Sequence, residues 1–160
     1  MQIRPYVPAD RAACLAIFEG NMPRYFALGE WSDFARWLDA QDAGQLAYPE
    51  NLAEPYFVVE DNRQVIACGG FCAHRRQLVV GLAWGMVRHD LHRQGIGRTL
   101  LEHRLQLAHT HYPAYAVVLD TSQHSYPFFE RLGFRVMRII PDGYGPGLDR
   151  YDMLRPAQRQ

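Results

Sequence analysis

The chain has 160 residues, about half of them apolar, with 17 basic residues that are all arginine against 17 Asp and Glu. That composition suits one soluble domain with a sizeable core, and a net charge of zero argues against general nucleic-acid binding. With no lysine anywhere, the chain can form no Schiff base and can complete neither a Walker A loop nor a kinase strand-lysine site.

Taken in chain order, residues 3–6 read as a short opening strand. Pro8 and Asp10 then start a helix in which Ala13, Ile17 and Phe18 recur at helical spacing. Residues 31–39 form a second helix that gathers Phe34, Trp37 and Leu38, and residues 40–54 read as a polar, proline-containing connection. From Pro55 the period changes. Residues 56–60 and 65–71 are β-branched or aromatic runs around Asp61-Asn62, a hairpin signature. Residues 78–87 form a third run, interrupted by Gly81 and Gly85, and glycine inside a strand marks a bulge. Residues 95–109 are the most regular helix, with Ile96, Leu100, Leu101, Leu105 and Ala108 on one stripe. Residues 115–119 are a nearly all-apolar, buried strand, and residues 125–132 a short helix closed by Gly133. Residues 134–140 and 149–154 close the sheet, with a loop of residues 141–148 between them.

The order βααβββαβαββ predicts an α/β sandwich: a mixed, mostly antiparallel sheet of about seven strands with helices on both faces. Its one parallel junction is a βαβ crossover through the helix at residues 95–109. No linker or repeat divides the chain, so residues 1–160 are read as one domain. No stretch approaches 18 apolar residues and no basic-then-apolar leader opens it, so a cytoplasmic protein without membrane partners is expected. Cys68, Cys72 and His74 suggest a metal site, but four strand steps set the sulfurs roughly 13 Å apart. No metal is expected there.

The chemistry concentrates in the turn Gln94-Gly95-Ile96-Gly97-Arg98, where a strand gives way to a helix. The first N–H groups of a helix have no internal partner, and its dipole favours an anion by about 0.3–1 kcal/mol. Two glycines let the backbone approach that anion, and Arg93 and Arg98 supply countercharge. A dinucleotide fold would need a small residue where Leu100 stands, and its turn would follow the opening strand. A pyrophosphate fits, and a Rossmann site does not.

With the closing run Phe128-Phe129-Glu130-Arg131-Leu132-Gly133-Phe134, this turn and element order resemble the GNAT superfamily of acyl-CoA-dependent N-acetyltransferases. The resemblance covers essentially the whole chain. It implies that His92, Arg93, Gln94, Gly95, Ile96, Gly97 and Arg98 wrap the pyrophosphate of coenzyme A. It implies too that Met86 and Val87 offer backbone groups to the pantetheine arm, between the strands ending at Val87 and Leu119. A backbone N–H near Gly85 would polarise the thioester carbonyl. Ser122 falls where relatives often have Asn. Two positions depart from the pattern: His92 replaces the family's Arg or Gln, and Phe129 replaces its frequent tyrosine, the usual acid for the departing thiolate.

The implied function is transfer of acetyl from acetyl-CoA to a primary amine by direct attack in a ternary complex. The alternatives are a non-catalytic acyl-CoA-binding module and a different acyl donor such as succinyl-CoA. An alkylamine is deprotonated roughly once in 2,500 molecules at pH 7, a deficit of about 4.6 kcal/mol that a base or water chain must offset. Asp120 is the candidate base, with a water relay as an equal option; its plain alternative is a turn-forming Asp. Tyr126, one helical turn before Phe129, is the candidate acid, or else a tyrosine packed on the sheet. Residues 21–61 hold eight acids against two arginines, which points to a cationic small-molecule or peptide amine as acceptor. The loop of residues 141–148 reads as a lid over that acceptor or as a long hairpin connection. A homodimer stays open.

Overall fold

In a computed structural model, which describes residues 1–158, the chain folds as a single sheet with helices on both faces. The elements are β1 (Gln2–Pro5), α1 (Arg11–Gly20), α2 (Trp31–Ala43), β2 (Asn51–Ala53), β3 (Tyr56–Asp61), β4 (Gln64–His74), β5 (Val79–Val87), α3 (Ile96–His111), β6 (Ala116–Thr121), α4 (Tyr126–Glu130), β7 (Arg135–Gly145) and β8 (Leu148–Arg155). The strand order is β1-β3-β4-β5-β6-β8-β7, with β2 beside β4. Among the described residues only β5 and β6 run parallel, as the crossover through α3 predicts.

The alternation of β3 shows why the sheet is covered twice. Tyr56 and Val58 enter a core with Phe18, Phe34, Trp37 and Leu38 of α1 and α2, while Phe57 and Val59 enter another with Leu100 and Leu101 of α3. Each buried side chain of that size contributes about 1.5–3 kcal/mol by leaving water. Among the described residues no helix is long and apolar enough to cross a membrane.

The structure corrects two sequence expectations. The connection at residues 40–54 is more ordered than its polarity suggested: α2 runs on to Ala43, and β2 adds an eighth strand. The cause is Glu54, whose buried carboxylate accepts the Ala47 and Tyr48 N–H groups at 2.6 and 2.9 Å and Asn51 Nδ2 at 2.7 Å. A polar segment can thus fold around one acceptor instead of an apolar core. The second correction concerns residues 141–148. β7 continues through this stretch to Gly145, so β7 and β8 form a hairpin with a two-residue connection in place of the eight-residue loop expected. Asp142 Oδ1 accepts the Gly147 N–H at 2.8 Å, and Asp149 Oδ1 accepts that of Asp142 at 2.9 Å, which fixes the tip.

Candidate active site

The site is built on the parting of β5 from β6. Their parallel pairing covers only Val79↔Ala116, Val80↔Val117 and Gly81↔Val118, although β5 continues to Val87 and β6 to Thr121. Beyond Gly81 the inner edge of β5 is therefore free to pair with something other than protein. A bulge sits on this free stretch. Trp84 and Gly85 together face Gly69 of β4, and Trp84 takes a left-handed φ of +48°. Its indole joins Phe18, Phe26 and Phe34 on the α1–α2 face, which holds the bulge in that conformation. The Trp84 carbonyl accepts the buried Tyr56 hydroxyl at 2.8 Å.

At one end of the cleft lies the turn into α3. Gly95 precedes the helix at φ +83°, a conformation costly for a side chain, and no side chain caps the first turn. The N–H groups of Ile96, Gly97 and Arg98 are the first of the helix, while Ile96 itself is buried in the α3-side core and anchors it. Gly97 lies against Val87 and Phe128; a Cβ there would come within 3.5 Å of Val87 Cγ2 and 3.8 Å of Phe128 Cζ. Gln94 and Arg93 are exposed. Arg98 is exposed as well and pairs with Glu102 one turn on, Nε to Oε1 at 2.8 Å. Of the two expected countercharges, only Arg93 is uncommitted among the described residues. His92 turns inward, with Nε2 3.0 Å from the Val87 carbonyl and its ring 5.2 Å from that of Tyr25. The same carbonyl accepts Asn21 Nδ2 at 2.9 Å, so Val87 has no carbonyl lone pair left for a ligand. Met86 sends its side chain into the α1–α2 core, leaving only its backbone beside the cleft.

Across the cleft, Ser122 is buried. Its Oγ accepts the His124 N–H at 3.3 Å and its carbonyl accepts those of Ser125 and Tyr126, so it organises the turn into α4. The Tyr126 ring stacks on Tyr151 with centroids 4.3 Å apart and planes nearly parallel, and both pack on the α3-side core. Phe129 packs edge-on against Phe128 and Phe134.

At the open end, on the α1–α2 face, the carboxylate of Asp120 accepts a hydrogen bond from the Tyr144 hydroxyl and lies 4.0 Å from Arg150 Nη2. A cleft of about 460 Å³ opens beside it, bounded also by His74, Gly81, Val118, Arg150 and Asp152. Glu30 joins this group from the turn before α2. Its Oε2 accepts the Ala27 N–H at 2.8 Å. Burial pushes its carboxyl up to about 7, with Asp120 and Asp33 adding to the shift and the Ala27 bond opposing it. Burial and the Asp120 and Glu30 carboxylates likewise hold the Tyr144 phenol well above its ordinary range.

Sequence reasoning placed Asp120 here and missed Glu30, Tyr144 and Asn21. For Glu30 a signal existed: it lies in the acidic stretch of residues 21–61, directly before a helix. For Asn21 none did, because its partner is 66 residues away.

A sheet parted beside an uncapped helix start, with carboxylates at its open end, gives an α/β sandwich with its candidate site at the strand ends. The family model described as acetyltransferase (GNAT) domain matches residues 53–136, and the chain belongs to that family. Residues of the chain are 32% identical over 85 positions to an N-alpha-acetyltransferase of Saccharolobus solfataricus, 51% of this chain and 49% of that one. The chain thus spans about half the length of that curated relative. The fold is that of the ribosomal-protein-S18-alanine N-acetyltransferase of Escherichia coli, with TM-score 0.74, 20% identity and coverage of 99% of this chain and 95% of that one. It is equally that of Salmonella typhimurium yncA with its cofactor acetyl-CoA, with TM-score 0.74, 20% identity and coverage of 100% and 95%.

Proposed function

We propose that this chain transfers an acetyl group from acetyl-CoA to a primary amine, by direct attack within a ternary complex. The observation that carries the reading is the parting of β5 from β6, with the uncapped start of α3 following β5 and Glu30, Asp120 and Tyr144 grouped at the open end. The α3 amides and Arg93 receive the pyrophosphate, as the helix-terminus field favours. The free edge of β5 pairs with the pantetheine arm, and a bulge N–H receives the thioester oxygen. The amine enters on the acidic α1–α2 face. Its nitrogen bonds to the carbonyl carbon, the carbon–sulfur bond breaks, and coenzyme A leaves as thiolate.

Glu30 takes the proton released by the amine. Its carboxyl titrates near neutral pH, which is where a general base works best. Asp120 has a weaker claim to that step, because Tyr144 and Arg150 already engage its oxygens. It positions the cationic amine instead. The stacking of Tyr126 on Tyr151 favours its packing role, and the thiolate takes its proton from Tyr126 or from solvent.

The likeness to an N-alpha-acetyltransferase makes the α-amine of a peptide the first acceptor to try. Thiol release from acetyl-CoA, measured against a panel of small amines and peptides, tests the proposal. Transfer to one class of amine supports it. Coenzyme A binding with no transfer to any acceptor would favour a non-catalytic acyl-CoA-binding module, and the same panel with succinyl-CoA reads the donor.

A further inference from the structure

Arg104 of α3 has a place in the fold that the cofactor turn does not explain. It is 4% exposed, yet Nε has no hydrogen-bond partner, and Nη1 makes one long bond to the Gly70 carbonyl at 3.3 Å. Its electrostatic neighbours are the phenol of Tyr56 and the thiol of Cys68, not a carboxylate. A buried cation with so little compensation destabilises a fold.

The guanidinium occupies the space where two glycines lack side chains. A Cβ on Gly85 would meet Nη2 at 2.7 Å and Nη1 at 2.8 Å, and a Cβ on Gly69 would meet Cζ at 3.2 Å. These are the residues that face each other across the bulge. Gly85 is itself exposed to solvent, so a single glycine backbone separates a buried positive charge from the surface of the cleft. The peptide that joins Trp84 to Gly85 already accepts the Tyr56 hydroxyl on its carbonyl, which strengthens its N–H as a donor.

From this juxtaposition we infer that Arg104 is a positioning residue for acyl transfer: its fixed charge, set behind the Gly69–Gly85 bulge, polarises the thioester carbonyl through the bulge backbone. The inference rests on the acetyl-transfer reading and adds a residue to it. Electrostatic preorganisation of this kind acts where water is excluded and costs no reorganisation during reaction. Arginine suits the position because it keeps its charge under burial, whereas a buried lysine is discharged within the ordinary pH range.

The test uses Arg104→Met and Arg104→Lys. The first readout is the infrared stretch of carbonyl-¹³C-labelled acetyl-CoA bound to the protein, which needs no acceptor. Wild type shifts the stretch to lower frequency than in water, and Arg104→Met abolishes that shift. Arg104→Lys retains it at about pH 6.5 and loses it at about pH 9. With a competent acceptor, Arg104→Met lowers kcat by at least about tenfold while KM for acetyl-CoA stays within about twofold. Its Tm holds or rises, because an uncompensated charge has been removed.

An unshifted stretch in wild type, or one that Arg104→Met leaves unchanged, overturns the inference. So does a fall in kcat that merely tracks lost folding or lost acetyl-CoA affinity. Should Arg104→Met not fold, the pH dependence in Arg104→Lys decides alone. A wild type that binds and polarises acetyl-CoA but transfers to no amine refutes the proposed function, and with it a role for Arg104 in transfer, while the polarisation by Arg104 is judged by the stretch alone.

Discussion

Glu30→Gln separates the base from the scaffold. The amide keeps an oxygen to accept the Ala27 N–H, so the turn before α2 persists, while the proton acceptor is lost. The rate penalty depends on the acceptor. For an alkylamine near pKa 10.4 the deprotonation deficit at pH 7 is about 4.6 kcal/mol, and for an α-amine near 8 it is about 1.4 kcal/mol. The expected loss in kcat is therefore about tenfold for a peptide N-terminus and about 10²–10³-fold for an alkylamine. Wild-type kcat should rise with pH through about 7, following Glu30, and that limb should vanish in the variant.

Stability supplies an independent check. Glu30 is raised from 4.5 to about 7 in the fold, so its folded state holds a proton that the unfolded chain releases between those values. Relative to the variant, the wild type is thus unpenalised below about pH 4.5 and progressively destabilised as pH rises to about 7. The full shift corresponds to about 3 kcal/mol, and partial solvent access reduces it to about 1–2 kcal/mol. Thermal melts of both proteins from pH 4.5 to 8 measure it, with Glu30→Gln gaining as pH rises. A kcat–pH profile that survives the substitution, together with a pH-independent difference in Tm, would refute Glu30 as the base.

Other outcomes follow from the same geometry. Gly95→Ala forces a side chain to φ +83° at about 1–2 kcal/mol and weakens acetyl-CoA binding by calorimetry. Gly97→Ala meets only ordinary contacts at 3.5 and 3.8 Å and costs less on both counts. Asn21→Ala removes the bonds from Nδ2 to the Ile17 and Val87 carbonyls, so denaturant unfolding should show a loss of about 1–3 kcal/mol. Arg93→Ala should raise the Kd for acetyl-CoA more than Arg98→Ala, because Arg98 is engaged by Glu102; titrations at low and physiological salt compare them.

The fold was legible where local pattern and tertiary burial agree. The two-faced run of β3, the stripe of α3 and the glycine turn before it each carry their environment in their own spacing. Legibility failed where one polar side chain organises others at a distance. Glu54 orders residues 47–51 without any apolar period, and the carboxylates of Asp142 and Asp149 turn a glycine-rich stretch into a strand. The turn into α3 was readable because glycine marks where backbone must adopt a left-handed conformation or come close. The carboxylate group at the open end was not, because Glu30, Asp120 and Tyr144 meet from three separate segments.

The absence of lysine has a different weight at different arginines. On the surface, Arg98 with Glu102 or Arg36 with Asp33 is an exposed pair that lysine would serve about as well, since such pairs contribute less than about 1 kcal/mol. At Arg104 the exchange is not neutral. Burial brings even this guanidinium down to about 10, and the same environment acting on an amine that starts about two units lower would let it lose its charge at mildly alkaline pH, where the guanidinium keeps its own. Gly69 and Gly85 have given up side chains to admit the planar group, so the pocket is shaped for arginine as well as charged by it. A compositional bias can account for how many arginines the chain carries. It does not account for two glycines arranged around one of them, behind the β5 edge that the parallel pair leaves free.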